Sequence, residues 1–230
     1  MRTAVVSGVA RPTGIGRQIV RTLLGKGYRV VGCDVAPEEA PDAQYPGVYS
    51  FMRVDVRKLD NVRALYAHVE DIAGGPHLNL LVNNAGIAAP NLDESDPVGS
   101  WHTFIDTNLT GMALWSSIVH ISSTRALQSE PGCEGYAAAK AGLLGLTHSQ
   151  AASLQRRTRV NAVLPGWVDV SGGAEAISTE QHQWQFTGRV GQPTDVAEMV
   201  AFLADERLAG FITGQHFVCD GGVTVRMHYP

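Results

Sequence analysis

The chain has 230 residues, 44% of them hydrophobic and 17% charged, which suits one sizeable domain with a full core. A formal net charge of −4 argues against a nucleic-acid or anionic-membrane partner. No apolar run approaches the ~20 residues of a membrane span, and the start of the chain enters a strand without a signal-peptide pattern.

Thr3–Ser7 reads as a short apolar strand, followed by a glycine-bearing turn from Gly8 through Gly14 and Ile15 to Gly16, then by a helix over Arg17–Leu24. Strand, glycine turn and helix in that order suit a dinucleotide. Glycines let the backbone approach a pyrophosphate, and the helix start offers free N–H groups and a positive dipole end. The plain alternative is a tight turn. Tyr28–Cys33 is the second strand and ends in Asp34. An acid about 20 residues beyond the glycines accepts hydrogen bonds from ribose hydroxyls and repels a 2′-phosphate. Arg11 is the one nearby group that argues for a phosphate; Asp34 outweighs it, so NAD is expected rather than NADP. Alone, Asp34 reads equally well as a solvated strand-end acid.

The proline-bearing stretch Ala36–Gly47 reads as loop, Val48–Val54 as the third strand, Leu59–Ala73 as an amphipathic helix and Leu78–Val82 as a buried fourth strand. The last ends in Asn83-Asn84-Ala85-Gly86, small residues that let a flat ligand lie against the backbone, or that simply make a turn. Pro97–Trp115 reads as a helix with Asp96 as N-cap, and Asn108 inside it needs a polar role if buried. Then come a fifth strand (Ser116–Ser122), a helix (Tyr136–Leu154), a sixth strand (Arg159–Leu164) stopped by Pro165-Gly166, an irregular polar stretch, a helix (Pro193–Ala204) and a last strand (Gln215–Cys219) before Asp220-Gly221-Gly222. This alternation predicts a single α/β domain over residues 1–230: a Rossmann-type, doubly wound parallel sheet with helices on both faces. Ligands bind past the carboxyl ends of such strands. The glycine turn, Asp34, Asn83–Gly86, Ser123 and Pro165-Gly166 all fall on that edge.

Chemistry gathers between Ser122 and Lys140. Tyr136 and Lys140 are four residues apart at a helix start, hence on one face. A phenol is a poor acid–base group at neutral pH, and a neighbouring ammonium is expected to lower its pKa. Ser123 ends the preceding strand and can hydrogen-bond the substrate oxygen that Tyr136 protonates. A lone Tyr-x-x-x-Lys is more often a helical tyrosine and a solvated lysine. Cys33, Cys133 and Cys219 form neither a zinc pattern nor a disulfide framework, so no metal is expected and a reducing cytoplasm fits.

From Thr3 to about Gly222 the ordered motifs resemble those of the short-chain dehydrogenase/reductase family. They are Gly8…Gly14-Ile15-Gly16, Asp34, Asp55-Val56, Asn83-Asn84-Ala85-Gly86, Asn108, Ser123, Tyr136-x-x-x-Lys140, Pro165-Gly166 and Asp220-Gly221-Gly222. The resemblance implies that Tyr136 is the general acid–base, that Lys140 lowers its pKa and holds the nicotinamide ribose, that Ser123 orients the substrate oxygen and that Asn108 holds a proton-relaying water. It places Asp55 and Val56 by the adenine, Asn84, Ala85 and Gly86 along the cofactor, and Pro165, Gly166 and Val168 beside the nicotinamide. It also implies a homotetramer, or a dimer, built on the two central helices. The sequence departs from the family in four places. The glycine turn is two residues longer, with Arg11 and Pro12 bulging. Val170 and Ser171 stand where a threonine is usual, and His120 stands in the fifth strand, read as a packed residue. The path from Asn108 back to Ser123 is short by about 11 Å, which an unwound helix, a shorter strand or residues missing between about Trp115 and Ile118 would explain.

The stretch from Trp167 to Phe186 offers Trp184 and Phe186 with few charges, which suggests a neutral sugar, polyol or cyclic alcohol or its ketone; the same aromatics could simply pack the core. The reading is therefore an NAD-linked secondary-alcohol dehydrogenase or carbonyl reductase. An NADP-dependent 3-oxoacyl thioester reductase and a non-catalytic NAD-binding sensor are the competing readings.

Overall fold

The computed structural model describes residues 1–39, 48–75, 78–87, 97–108 and 117–227. Seven parallel strands form its sheet: β1 (Arg2–Ser7), β2 (Tyr28–Asp34), β3 (Tyr49–Arg53), β4 (Leu80–Asn83), β5 (Ser117–Ile121), β6 (Arg159–Pro165) and β7 (His216–Cys219), in the order β3-β2-β1-β4-β5-β6-β7. The order reverses between β1 and β4, where a crevice opens past the strand ends. Seven helices accompany the sheet among the described residues: α1 (Ile15–Gly25), α2 (Leu59–Ala73), α3 (Pro97–Asn108), α4 (Glu134–Ser153), α5 (Thr179–Trp184), α6 (Pro193–Ala204) and α7 (Glu206–Ala209).

Alternation along β1 sends side chains to both faces. Ala4 and Val6 pack with Ile19 and Leu23 of α1 and Val196, Val200 and Leu203 of α6. Val5 faces the other way, with Val31, Leu81, Ile118 and Val160, under Leu65 and Val69 of α2. With both faces covered, the central strands read as near-continuous apolar runs, and a full face of such residues contributes roughly 1.5–3 kcal/mol per buried large side chain. β3, at the sheet edge, stays half-buried.

Register lines up the chemistry. Ser7 is opposite Cys33, Asn83 opposite His120 and Pro165 opposite Cys219, so each motif leaves the sheet at the same edge. Most expected elements stand within two residues. α1 starts earlier than expected, at Ile15, because Gly14 takes an extended N-cap conformation. α4 likewise starts at Glu134, before Tyr136. The stretch expected to be irregular contains α5, closed by reciprocal capping between Ser178 and Gln181. The four-residue α7 was not expected from sequence. Asp96 as N-cap, the helix beyond Asn108, most of the expected 36–47 loop and the short connection near Trp115 lie outside the described residues.

Candidate active site

The glycine turn opens a cavity of about 610 Å³ at the crevice, lined in part by Gly8, Arg11, Gly14, Ile15, Gly16 and Asp34. Gly8 sits at φ +74°, and a Cβ there would meet Ala85 Cα at 2.8 Å. A Cβ on Gly16 would overlap the Gly8 carbonyl oxygen. Both glycines are thus required for α1 to start directly against the ends of β1 and β4. The two extra residues are fixed rather than loose. Arg17, with no exposed surface, donates from Nε to Val9 O at 2.9 Å and pairs with Glu38 at 2.8 Å. Arg21 donates to Pro12 O at 2.9 Å, and Gly14 N–H to Arg11 O at 3.1 Å. The first turn of α1 has no side-chain cap and no acid, leaving its N–H groups and dipole for an anion.

Asp34 receives Ala10 N–H on Oδ2 at 2.9 Å and Ala36 N–H on Oδ1 at 3.1 Å. It borders the main cavity and a smaller one of about 210 Å³, lined also by Val54, Asp55, Val56, Ala85 and Thr103. Asp55 is held below the usual carboxylate range, first by its hydrogen bonds from Arg57 at 2.8 Å. Asn84 ties β4 to β1: its amide donates to Ser7 O at 2.9 Å and Gly8 O at 3.0 Å, while Ala85 N–H donates to Ser7 Oγ at 3.0 Å.

Asn108, Ser123, Tyr136 and Lys140 line the same main cavity. Asn108 is buried, and its role is visible: Oδ1 accepts Ile87 N–H at 3.1 Å, and Nδ2 donates to Ile87 O at 3.4 Å. A Cβ on Gly86 would come within 2.5 Å of that oxygen, so Gly86 admits the amide. Lys140 is 4% exposed; Nζ donates to Ile121 O at 2.8 Å, and its own carbonyl accepts Ser122 Oγ–H at 2.7 Å. These two bonds latch α4 to the end of β5. Ser123 caps the turn that follows, accepting Arg125 N–H at 3.2 Å. The Tyr136 ring meets Phe104 of α3 edge-on, with centroids 6.3 Å apart.

The net phenol shift runs opposite to the expected one: burial raises the Tyr136 pKa, outweighing the hydrogen bond of Ser123 and the charge of Arg125. The ammonium lies 5.6 Å from the Tyr136 ring centroid and spends a hydrogen bond on Ile121 O. Burial in turn pushes Lys140 down to about 8.

A second cavity of about 620 Å³ shares Ser123, Gly166 and Trp167 with the main one and continues to Arg125, Glu130, Trp184 and Arg226. Every residue expected to act in catalysis or to touch the cofactor lines one of these cavities, including Pro165, Gly166 and Val168, whereas Asn83 and Phe186 do not. His120 does not; it is buried between Gln150 Oε1 at 3.0 Å and Asn83 Nδ2 at 3.4 Å, packed as expected. Ser171 does not replace the usual threonine, because its hydroxyl is committed to Asp169 at 2.6 Å, whereas Val170 borders the cavity. Sequence reasoning missed Ile87, Arg125 and Arg226. Arg125 follows Ser123 by two residues and was within reach of inspection; nothing local marks the other two.

Among the described residues no helix is long and apolar enough to cross a membrane, and no group of three His, Cys, Asp or Glu could hold a metal. Comparison with protein families matches residues 8–224 to the family described as enoyl-(acyl carrier protein) reductase. A 3-oxoacyl-[acyl-carrier-protein] reductase of Staphylococcus aureus is 36% identical, covering 96% of this chain and 98% of that one. The aligned stretch of 246 residues exceeds the 230 of this chain, so that relative carries residues absent here. A cis-4-hydroxycyclohexanecarboxylate dehydrogenase of Sinomonas cyclohexanicum is also 36% identical, over 97% of this chain and 96% of that one. Among solved structures, the ligand-free aldohexose dehydrogenase of Thermoplasma acidophilum superposes with a TM-score of 0.83 at 29% identity, covering 100% of this chain and 97% of that one.

Proposed function

The chain belongs to the short-chain dehydrogenase/reductase family of oxidoreductases, and on that premise we propose that it is an NAD-linked dehydrogenase or reductase of a secondary alcohol and its ketone. The observation that carries this reading is the convergence of Ser123, Tyr136 and Lys140 on the cavity that the glycine turn and Asp34 also line. The residues present fit a nicotinamide dinucleotide: the uncapped start of α1 for the pyrophosphate, Asp34 for the adenosine ribose, and the Val54–Val56 recess for the adenine. When bound, the nicotinamide supplies the hydride chemistry.

The protein's own groups manage the oxygen. Ser123 Oγ orients it, and Tyr136 gives or takes its proton. Burial keeps Tyr136 a phenol through neutral pH, the form that donates a proton to a ketone. Lys140, fixed against Ile121 O, stands ready for the ribose hydroxyls. The substrate belongs to the sugar, polyol or cyclic-alcohol class. Support comes from the aromatic wall of Trp167 and Trp184 and from the ring and sugar substrates named for two relatives. A single domain over residues 1–230, a cytoplasmic location and assembly as a homotetramer or dimer through α3 and α4 complete the reading; the free thiols Cys33, Cys133 and Cys219 suit a reducing compartment.

Two variants test it. Tyr136→Phe should lower turnover by about 100-fold or more while cofactor affinity stays near that of wild type; undiminished turnover would refute the assignment. Asp34→Ala should erase a preference for NADH over NADPH in fluorescence titrations. A second reading, an NADP-dependent 3-oxoacyl thioester reductase, is favoured by the staphylococcal relative and by Arg11 in the cavity lining. Tighter binding of NADPH by wild type would select it.

A further inference from the structure

Building on that dehydrogenase reading, we infer that the substrate carries a carboxylate besides its reacting alcohol, and that Arg226 is the residue that pairs it. Arg226 lines the cavity of about 620 Å³ that reaches Ser123. It is one of two arginines there. The other, Arg125, forms an ion pair with Glu130 in the same wall. Arg226 has no carboxylate partner among the described residues.

Its setting is built by the backbone. Asp220 accepts Gly222 N–H at 2.8 Å and Thr224 N–H at 2.7 Å, shaping the turn over Val223–Val225 that delivers Arg226. Gly222, at φ +89°, lies where a Cβ would meet the Phe186 ring at 2.8 Å, so only glycine lets that ring close in. Phe186 N–H in turn donates to Gly221 O at 2.7 Å. The guanidinium carbon then lies 4.5 Å from the Trp184 ring centroid and 5.0 Å from that of Phe186. A cation held this way is attracted by the ring faces, which accept none of its N–H donors as a carboxylate would. Nε is buried without an acceptor among the described residues. A buried donor of this kind is costly unless something accepts from it.

The charge count selects the anion. One guanidinium without a carboxylate matches a monoanion, and its donor fork matches a carboxylate side-on. A phosphate monoester, close to dianionic at neutral pH, would keep an uncompensated charge in an aromatic wall. Trp167, Trp184 and Val223 in the same lining suit an apolar body between carboxylate and alcohol. The inference is thus a hydroxy acid with a ring or short hydrocarbon body. It adds a carboxylate to the cyclic-alcohol part of the proposed class, because Arg226 enters that wall from outside the stretch between Trp167 and Phe186.

Binding and turnover answer separately. Calorimetric titration of the full chain with cyclohexanecarboxylate and with cyclohexanecarboxamide, with and without NADH, reads the anion preference without catalysis. Wild type should bind the carboxylate roughly 10- to 100-fold more tightly than the amide. That ratio should fall toward unity in Arg226→Gln and be partly kept in Arg226→Lys. Thermal unfolding of both variants shows whether each is folded. Equal binding of acid and amide by wild type, or a ratio that survives in folded Arg226→Gln, would overturn the inference. Turnover of a hydroxycyclohexanecarboxylate and of its amide forms the second arm. Absence of turnover on both sinks the dehydrogenase reading, while the binding ratio still decides the role of Arg226.

Discussion

Lys140 offers the sharpest physical test, because its burial makes fold stability depend on pH in a calculable way. The residue is 4% exposed and its pKa falls from the ordinary lysine range to about 8 through desolvation. The unfolded chain holds that proton more tightly than the folded one. The lysine therefore opposes folding most where it is charged, below its folded pKa of about 8. The opposition fades as pH rises toward the unfolded value of about 10.4. Lys140→Met removes this titration and keeps the stem. Integrating the linkage, wild type should gain about 2 kcal/mol on Lys140→Met between about pH 7 and pH 9.5. Urea unfolding of both proteins across that window gives the difference directly. Groups common to both cancel, among them the thiol of Cys33, which burial pushes up to about 12 and which makes both proteins lose stability alike as pH rises past the unfolded thiol value of about 8.5. The loss of the bond to Ile121 O adds an offset that does not vary with pH. A flat difference would mean that Lys140 is as well solvated folded as unfolded, and the buried-ammonium account of the site would fail.

Two further outcomes follow from buried charge chemistry. His120 is pulled down to about 4 by burial, so its contribution to stability is complete above the unfolded pKa and is lost as pH falls toward the folded one. Wild type should lose about 2 to 3 kcal/mol more than His120→Asn between about pH 7.5 and pH 4.5, and equal acid sensitivity would contradict the neutral, packed imidazole. Arg17→Met should cost about 3–5 kcal/mol by leaving the Glu38 carboxylate, then held among the described residues only by the Tyr49 hydroxyl, without its cation beside the glycine turn, as read by denaturant midpoint. Adding Glu38→Leu should recover part of that loss; a purely additive double variant would mean the ion pair does not hold the turn.

The fold was legible because its signals are local and repeated. A strand such as β1 is buried on both faces and is followed at once by glycine, so type, burial and exit point are all written within a few residues. Asp34, Ser123 and Tyr136 were legible for a related reason: each sits at or beside the end of a strand or helix, and the parallel sheet brings such ends to one edge, while Lys140 follows one turn beyond Tyr136 on the same helix face. What sequence spacing does not carry is solvation. The four-residue interval placed Lys140 beside Tyr136 correctly, yet the direction of the phenol shift depends on how much water each loses, a property of the closed latch among Ile121, Ser122 and α4.

The substrate wall shows the same limit at longer range. Trp167 and Trp184 are visible in one continuous stretch and read as an apolar lid. The cation that gives this wall its sign comes from beyond β7, carried in by a turn that Asp220 shapes and Gly222 permits. Asp220-Gly221-Gly222 was recognisable as a motif, but its consequence is the position of a residue outside it. Gly166, at the end of β6, admits Asp220 so closely that a Cβ would lie 2.6 Å from the Asp220 Cβ. The two glycine motifs at the ends of β6 and β7 therefore act as one joint. That joint places the border of the cofactor cavity and the arginine of the substrate wall together, so a change at either glycine should disturb substrate selection and cofactor binding at once.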